Sequence, residues 1–155
     1  MSEGENTIRG KSDVLLRIIK DKMGIELDYS MFSLLYFDKI LEDLFGPGMS
    51  RIPEDMKDFR NALRLQIGCF YGECIRASLS GEWVQDENGL SLQKIGNQEV
   101  SIYPLSTAHD RMEGDDTKLF FTAKCVIAEV FKQVGVKIYG MESAKPPATP
   151  PPLPS

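Results

Sequence analysis

The stretch from Phe59 to Trp83 constrains the fold of this chain more than any other. At 100° per residue, one set of apolar side chains falls within an arc of about 80°, namely Phe59, Leu63, Ile67, Phe70, Cys74 and Ala77. A second apolar surface includes Gly68 and Gly72, one turn apart. Because a mid-helix glycine costs roughly 1 kcal/mol relative to alanine, this pair indicates that a neighbouring backbone comes close. We therefore predict a central helix, followed by a strand from Trp83.

Length and composition indicate a single globular domain. The chain has 155 residues, of which 42% are hydrophobic and 26% charged, and it has no apolar run near the ~20 residues that span a bilayer. Its N-terminus, MSEGENTIRGKSD, lacks the features of a secretory signal or a transit peptide. We therefore expect a cytoplasmic protein without a membrane segment. A net charge of -5 argues against nucleic-acid binding, which needs clustered Lys and Arg.

Two helices are predicted before the central one. Ser12 is a good N-cap for a helix that ends at Gly24, and Asp28 or Ser30 can cap the segment MFSLLYFDKILEDLF. The second helix carries an apolar stripe at helical spacing, formed by Met31, Leu34, Phe37, Leu41 and Leu44. Its other face carries charged residues that we interpret as solvated surface, namely Lys39, Glu42 and Asp43.

After the central helix the hydrophobic period changes to that of strands. Turn signals at residues 86–89 and 96–97 separate alternating segments, which predicts an antiparallel meander of about three strands that Pro104 closes. Residues 105–116 are predicted to be a loop or one short helical turn. One of Asp115, Asp116 and Thr117 then caps a last helix that ends at Gly135, and residues 136–139 are a candidate edge strand.

These elements predict an α+β fold, in which two or three helices pack on a small antiparallel meander and a C-terminal helix follows. Residues 1–11 are expected to be flexible, residues 12–141 to form one domain, and residues 142–155 to be a proline-rich disordered tail. The tail contains two PxxP spacings, Pro147 with Pro150 and Pro151 with Pro154. A proline-rich ligand for an SH3-like groove is therefore an alternative to a plain disordered tail.

Glu73 is the leading candidate site residue, because a carboxylate in so apolar a helix needs a basic partner, several hydrogen bonds or a proton. Arg76 and Arg111 are available partners. A structural ion pair is one interpretation, and a ligand-binding or catalytic acid in a pocket between the central helix and the meander is the other. Trp83 would pack alongside, and His109 is the only histidine that such a pocket could use.

No cofactor or metal site is predicted. Cys69, Cys74 and Cys125 lack CxxC spacing, so we expect reduced and mostly buried thiols. The acidic residues Glu113, Asp115 and Asp116 do not have EF-hand spacing and are better explained by helix capping. The glycines match neither a phosphate loop nor a dinucleotide fingerprint, so nucleotide binding is not predicted. No catalytic residue is assigned.

One set of short motifs resembles a known family. Tyr71-Gly72-Glu73, then Arg76, Trp83, Pro104 and Arg111 followed by Gly114, resemble the signature of a bacterial α+β domain family of unknown function. The segment LDYSMFSLLYFDKILEDL is similar to the first helix of that family, and the match covers about residues 25 to 135. The resemblance implies a helix–meander–helix order and a structural role for Glu73 with Arg111, and it implies no activity.

The functional expectation is a cytoplasmic, non-enzymatic bacterial protein that binds another protein, as an accessory or an immunity-type neutraliser. The acidic composition and the lack of a catalytic motif motivate this interpretation. The alternative is an enzyme or small-ligand binder that uses Glu73 with Arg111.

Overall fold

The computed structural model describes residues 7–46, 49–113 and 118–135. This part of the chain forms five α-helices and one two-stranded antiparallel sheet, which confirms the α+β class with a C-terminal helix. The elements are α1 (Ile8–Met23), α2 (Met31–Phe45), α3 (Lys57–Leu79), β1 (Glu82–Asp86), β2 (Gly89–Gln93), a 3₁₀ turn (Ile95–Asn97), α4 (Pro104–Met112) and α5 (Leu119–Gln133). Within the described ranges, every helix is too short or too polar to cross a bilayer.

Helix α3 is central, as its sequence predicts. Residues 67–75 are all buried, because α1, α2, α4 and α5 all contact this helix. The predicted core stripe is buried in its middle, whereas Phe59 and Ala77 at its ends are exposed. A helix of 23 residues is about 35 Å long. It therefore extends beyond the shorter helices that cover it.

The two glycines of α3 allow α4 and β1 to come close, as predicted. A Cβ atom on Gly68 would lie 2.5 Å from Leu105 Cδ2 and 3.1 Å from the Pro104 carbonyl oxygen. A Cβ atom on Gly72 would overlap the ring of Trp83 and lie 3.1 Å from Pro104 Cγ. The absence of side chains at both positions thus lets the start of α4 and the Trp83 ring pack directly on the α3 backbone.

Helix α1 begins at Ile8, so the predicted start at Ser12 is wrong. Thr7 is the N-cap, and its side-chain oxygen accepts a hydrogen bond of 2.9 Å from the backbone N–H of Gly10. Ser12 is buried within the helix, where its hydroxyl donates to the carbonyl oxygens of Ile8 and Arg9. A serine can satisfy its hydroxyl in this way inside a helix. Residues 8–11 are therefore helical rather than part of a flexible terminus.

The predicted meander is a two-stranded hairpin. The expected third strand is reduced to one bridge, in which Leu92 and Ile102 exchange two backbone hydrogen bonds of 2.9 Å. Between them the backbone turns through the left-handed region at Lys94, Gly96 and Asn97, with φ values of 54–63°. This 3₁₀ turn directs the chain away from the sheet before a third strand can extend.

Pro104 begins helix α4 instead of closing a strand. Proline is well tolerated in the first turn of a helix, where its missing N–H removes no hydrogen bond. The region predicted as a loop or one turn is therefore a nine-residue helix. Gly114, the predicted caps at 115–117, the candidate strand at 136–139 and the proline-rich tail lie outside the described residues.

Candidate functional site

The Glu73 carboxylate is buried and receives four donors. Oε2 accepts hydrogen bonds from Arg76 Nε at 2.5 Å and Trp83 Nε1 at 3.0 Å. Oε1 accepts from Arg76 Nη2 and Arg9 Nη1, both at 3.1 Å. The carboxylate is only 2% exposed, so its lone pairs are used within the protein. These hydrogen bonds join α1, α3 and β1, so the carboxylate has a structural role in holding the three elements together.

These partners keep Glu73 ionised. Burial alone raises the pKa of the carboxyl group, but the hydrogen bonds from Arg76, Trp83 and Arg9 outweigh it and lower the pKa to about 2. Arg9 also lies over the Tyr29 ring, with its guanidinium carbon 3.6 Å from the ring centroid. A carboxylate of this kind is a poor proton donor or acceptor near neutral pH.

The predicted ion pair between Glu73 and Arg111 is wrong. Arg111 is 1% exposed, and its Nε donates to Asp38 Oδ1 at 3.1 Å while Nη2 donates to the Asp38 carbonyl oxygen at 3.2 Å. The central helix thus uses Arg76 and Arg9, whereas α4 is joined to α2 through Arg111. Of the predicted site residues, the structure brings together Glu73, Arg76 and Trp83, and it places Arg111 in a separate cluster.

Asp38 also caps helix α5 from a distance in sequence. Its Oδ1 accepts from the backbone N–H of Leu119 at 3.0 Å, and its Oδ2 accepts from that of Phe120 at 2.9 Å. The local N-cap residue of α5, Lys118, makes no capping hydrogen bond. A carboxylate at a helix N-terminus satisfies unpaired donors and interacts favourably with the helix dipole. Asp38 therefore links α2, α4 and α5.

Among the described residues, the remaining nucleophile and metal candidates do not assemble into a site. His109 is exposed in the last turn of α4. All three cysteines are buried and free of disulfides, as predicted, and burial raises the pKa of the Cys69 thiol to about 11. Thiols with raised pKa values are weak nucleophiles. Within the described ranges, no group of three or more His, Cys, Asp and Glu residues is placed to hold a metal ion.

A different feature, an exposed aromatic groove, lies between α2 and α5. We define the α2–α5 groove by its lining residues, Leu35, Asp38, Lys39, Glu42, Lys118, Phe120, Phe121 and Lys124, which enclose about 350 Å³. Phe32 stacks on Phe120 at the edge of the groove, with ring centroids 6.5 Å apart and planes inclined by 24°. Phe32 is 69% exposed and Phe121 53% exposed. Large apolar side chains this exposed, and clustered, characterise binding surfaces.

The charges around the groove are largely paired with one another. Lys39 Nζ lies 3.0 Å from Asp43 Oδ1, and Lys118 forms an ion pair with Glu42 across the two helices. Lys124 Nζ lies 5.5 Å from the centroid of Phe120 and 5.9 Å from that of Phe121. The groove therefore combines aromatic surface with a rim that is close to electrically neutral.

Sequence reasoning missed both Asp38 and the groove, although each has a signal in the sequence. Asp38 follows Leu34 by four residues and so lies beside the buried stripe of α2, where a carboxylate needs a partner. Phe32, Leu35 and Tyr36 lie on the opposite face of the same helix, among the charged residues that indicate solvent exposure. Apolar residues on the polar face of an amphipathic helix are a recognisable sign of a binding surface.

No family model, curated protein or solved structure matches this chain.

Proposed function

We propose that this chain is a non-enzymatic protein-binding domain and that the α2–α5 groove, with Phe32 at its edge, is where the partner binds. The observation that carries this proposal is the stacked and exposed pair of Phe32 and Phe120 beside Phe121. Aromatic side chains dominate the energetics of protein interfaces, because they bury a large area with few rotatable bonds. The groove exposes such residues on two adjacent helices.

The polar surroundings of the groove support the same interpretation. Asp38 caps α5 and holds Arg111, so both helices that carry the aromatic rings are fixed relative to each other. A surface that is ordered before binding loses less conformational entropy when a partner binds. The paired charges of Lys39 and Lys118 resemble the polar rim that surrounds an apolar interface core.

The alternative function, an enzyme or small-ligand site that uses Glu73 with Arg111, has less support. The carboxylate of Glu73 already accepts four hydrogen bonds, and Arg111 is bound to Asp38. A ligand at Glu73 would have to displace Arg9, Arg76 or Trp83 from the carboxylate. The groove, in contrast, offers apolar surface without breaking any internal bond.

Further parts of the proposal rest on the sequence. A cytoplasmic location is supported by three buried thiols without a disulfide. A bacterial origin is supported by the resemblance of Tyr71-Gly72-Glu73, Trp83 and Arg111 to a bacterial α+β family. An accessory or immunity-type role is supported by the acidic composition, with a net charge of -5.

The test compares three immobilised baits in a lysate of the source cells at native salt. These are the wild-type chain, Phe121→Ser in the groove, and Phe131→Ser as a matched control, because Phe131 is 37% exposed at the other end of the same helix. A protein that the wild type and Phe131→Ser retain and Phe121→Ser loses is then purified, and its affinity is measured by calorimetry. We expect Phe121→Ser to weaken binding by about 10-fold or more, which corresponds to about 1.4 kcal/mol.

The control variant should bind within about twofold of the wild type, and all three baits should have the same melting temperature, since both substituted side chains are exposed. If every retained protein binds Phe121→Ser as tightly as the wild type, the groove is not the binding surface and the proposal fails.

A further inference from the structure

The α2–α5 groove favours an apolar ligand without net charge. Glu42 and Lys118 are paired with each other, as are Lys39 and Asp43, and Asp38 is occupied by Arg111 and the α5 N-terminus. A strongly basic peptide would have to break these pairs to gain a counter-charge, and an acidic peptide would have to break them to gain more than the one charge of Lys124, which lies over the Phe120 ring. The surface that remains for a ligand is the aromatic and aliphatic lining, formed by Leu35, Phe120 and Phe121, with Phe32 stacked on Phe120 at its edge.

Proline-rich peptides have the required chemistry. They dock in aromatic-lined grooves, and their backbone is already restricted before binding, so little entropy is lost. Residues 146–155 of this chain read PPATPPPLPS, which contains six prolines and no charged side chain. The same segment carries both PxxP spacings. The chain therefore contains a neutral, proline-rich ligand of the class that its own groove favours.

The distance between groove and segment is within reach of the chain. Helix α5 carries Phe121 near its start and ends at Gln133, about 18 Å further along the helix, and Gly135 follows two residues later. Ten residues, 136–145, connect Gly135 to the first proline, and an extended chain of ten residues spans about 33 Å. The segment can thus return along α5 to the groove of the same molecule.

We propose that residues 146–155 occupy the α2–α5 groove of their own chain. This inference rests on the proposed function, because it names the ligand class that the proposed binding surface takes. A protein partner at the groove must then displace the proline-rich segment, which lowers the partner's apparent affinity by the fraction of chains whose groove is filled. Modification or sequestration of the segment would release that surface for the partner.

The experiment uses the full chain and its amide NMR spectrum. The test variant carries Pro150→Ser, Pro151→Ser and Pro154→Ser, and the matched control removes the tail charges instead, with Glu142→Gln and Lys145→Gln. We expect the proline variant to shift the amide signals of Leu35, Phe121 and Lys124 while the Trp83 indole signal stays in place. The control should leave the groove signals unchanged, because the proposed ligand is the neutral segment.

A synthetic peptide of residues 142–155 provides the second arm. Added to the proline variant, it should move the groove signals back toward their wild-type positions. A tether of about ten residues gives an effective concentration in the millimolar range. Occupancy above one half in the intact chain therefore requires a dissociation constant for the free peptide below about 1 mM. The wild-type spectrum should not change with protein concentration.

Three results would overturn the inference. They are unchanged groove signals in the proline variant, a peptide dissociation constant well above 1 mM, or groove signals that depend on protein concentration, which would assign the segment to a second copy. If any of these occurs while a partner is still lost by Phe121→Ser, the tail is rejected and the binding function stands. If instead the tail binds the groove but no protein is lost from the Phe121→Ser bait, the proposed protein-binding function is rejected.

Discussion

The Asp38→Asn substitution should be among the most destabilising single changes in this domain, because it removes one charge from a buried pair. The carboxylate accepts from Arg111 Nε at 3.1 Å and from the backbone N–H groups of Leu119 and Phe120 at 3.0 and 2.9 Å. An asparagine has the same shape but presents an NH₂ group in place of one oxygen. One donor would then face another donor, and the buried Arg111 guanidinium would lose its counter-charge.

Removal of one partner from a buried ion pair costs about 3–5 kcal/mol. That is a large share of a typical free energy of unfolding of about 5–15 kcal/mol. At about 2–4 °C per kcal/mol for a chain of this size, the melting temperature should fall by roughly 6–20 °C. The assay is thermal and urea unfolding at neutral pH, followed by circular dichroism.

Asp43→Asn is the matched control on the same helix. Its carboxylate pairs with Lys39 at 3.0 Å but is 53% exposed, and such a pair contributes about 0.3–0.5 kcal/mol. Asp38→Asn should therefore cost several times as much as Asp43→Asn. Equal costs for the two variants would refute the assignment of Asp38 as a buried link between α2, α4 and α5.

A second variant separates the ion pair from the helix cap. In the Asp38→Asn background, Arg111→Met removes the uncompensated charge, so it should recover part of the lost stability. Recovery should be incomplete, because the N–H groups of Leu119 and Phe120 still lack a carboxylate. A further, additive loss on adding Arg111→Met would show that the buried charge is not the source of the cost.

The remaining predictions concern the central helix. The pKa of Glu73 is lowered to about 2 against about 4.3 when unfolded, so its stabilisation is present above about pH 4.3 and is lost as pH falls toward 2. That stabilisation is at most about 3 kcal/mol, and less because both arginine partners are partly exposed. Glu73→Gln should therefore lower the melting temperature at pH 7 and flatten its decline below pH 5, whereas the exposed Glu82→Gln should do neither. Gly72→Ala should destabilise the fold by about 1–3 kcal/mol and shift Trp83 fluorescence, because the new methyl group overlaps the Trp83 ring. As a control, Asn61→Ala at an exposed position of the same helix should be neutral or stabilising. A Gly72→Ala variant that is more stable than the wild type would contradict the close packing.

The parts of the fold that were predictable depend on local sequence. The position of α3 follows from its apolar periodicity, and the close approach at Gly68 and Gly72 follows from the cost of a mid-helix glycine. The burial of Glu73 also follows from its neighbours. In each case the relevant information lies within a few turns of one helix.

Arg76, the local partner of Glu73, was predictable from its place one turn along the same helix. The long-range partners of the buried charges were not, because they depend on how helices far apart in sequence pack. Glu73 uses Arg9, which lies 64 residues away in a segment expected to be flexible. Arg111 uses Asp38, 73 residues away. Both arginines satisfy the requirement for a basic partner, so only the packed structure selects between them. The prediction of a third strand was wrong for a related reason. Residues with left-handed backbone conformations end the sheet after β2, although the alternation of apolar and polar residues continues in the sequence.

The capping of α5 by Asp38, far away in sequence, has a consequence for folding during synthesis on the ribosome. Asp38 is synthesised 73 residues before Arg111 and 81 residues before Leu119. At about 5–20 residues per second, its carboxylate waits roughly 4–15 s for the guanidinium that balances it. During that interval the buried face of α2 has to stay hydrated, since an unpaired carboxylate resists burial. Helix α5, the last of the described helices, therefore supplies the final partners of Asp38 in α2. The packing of α2 against α4 and α5 is delayed until α5 has been synthesised.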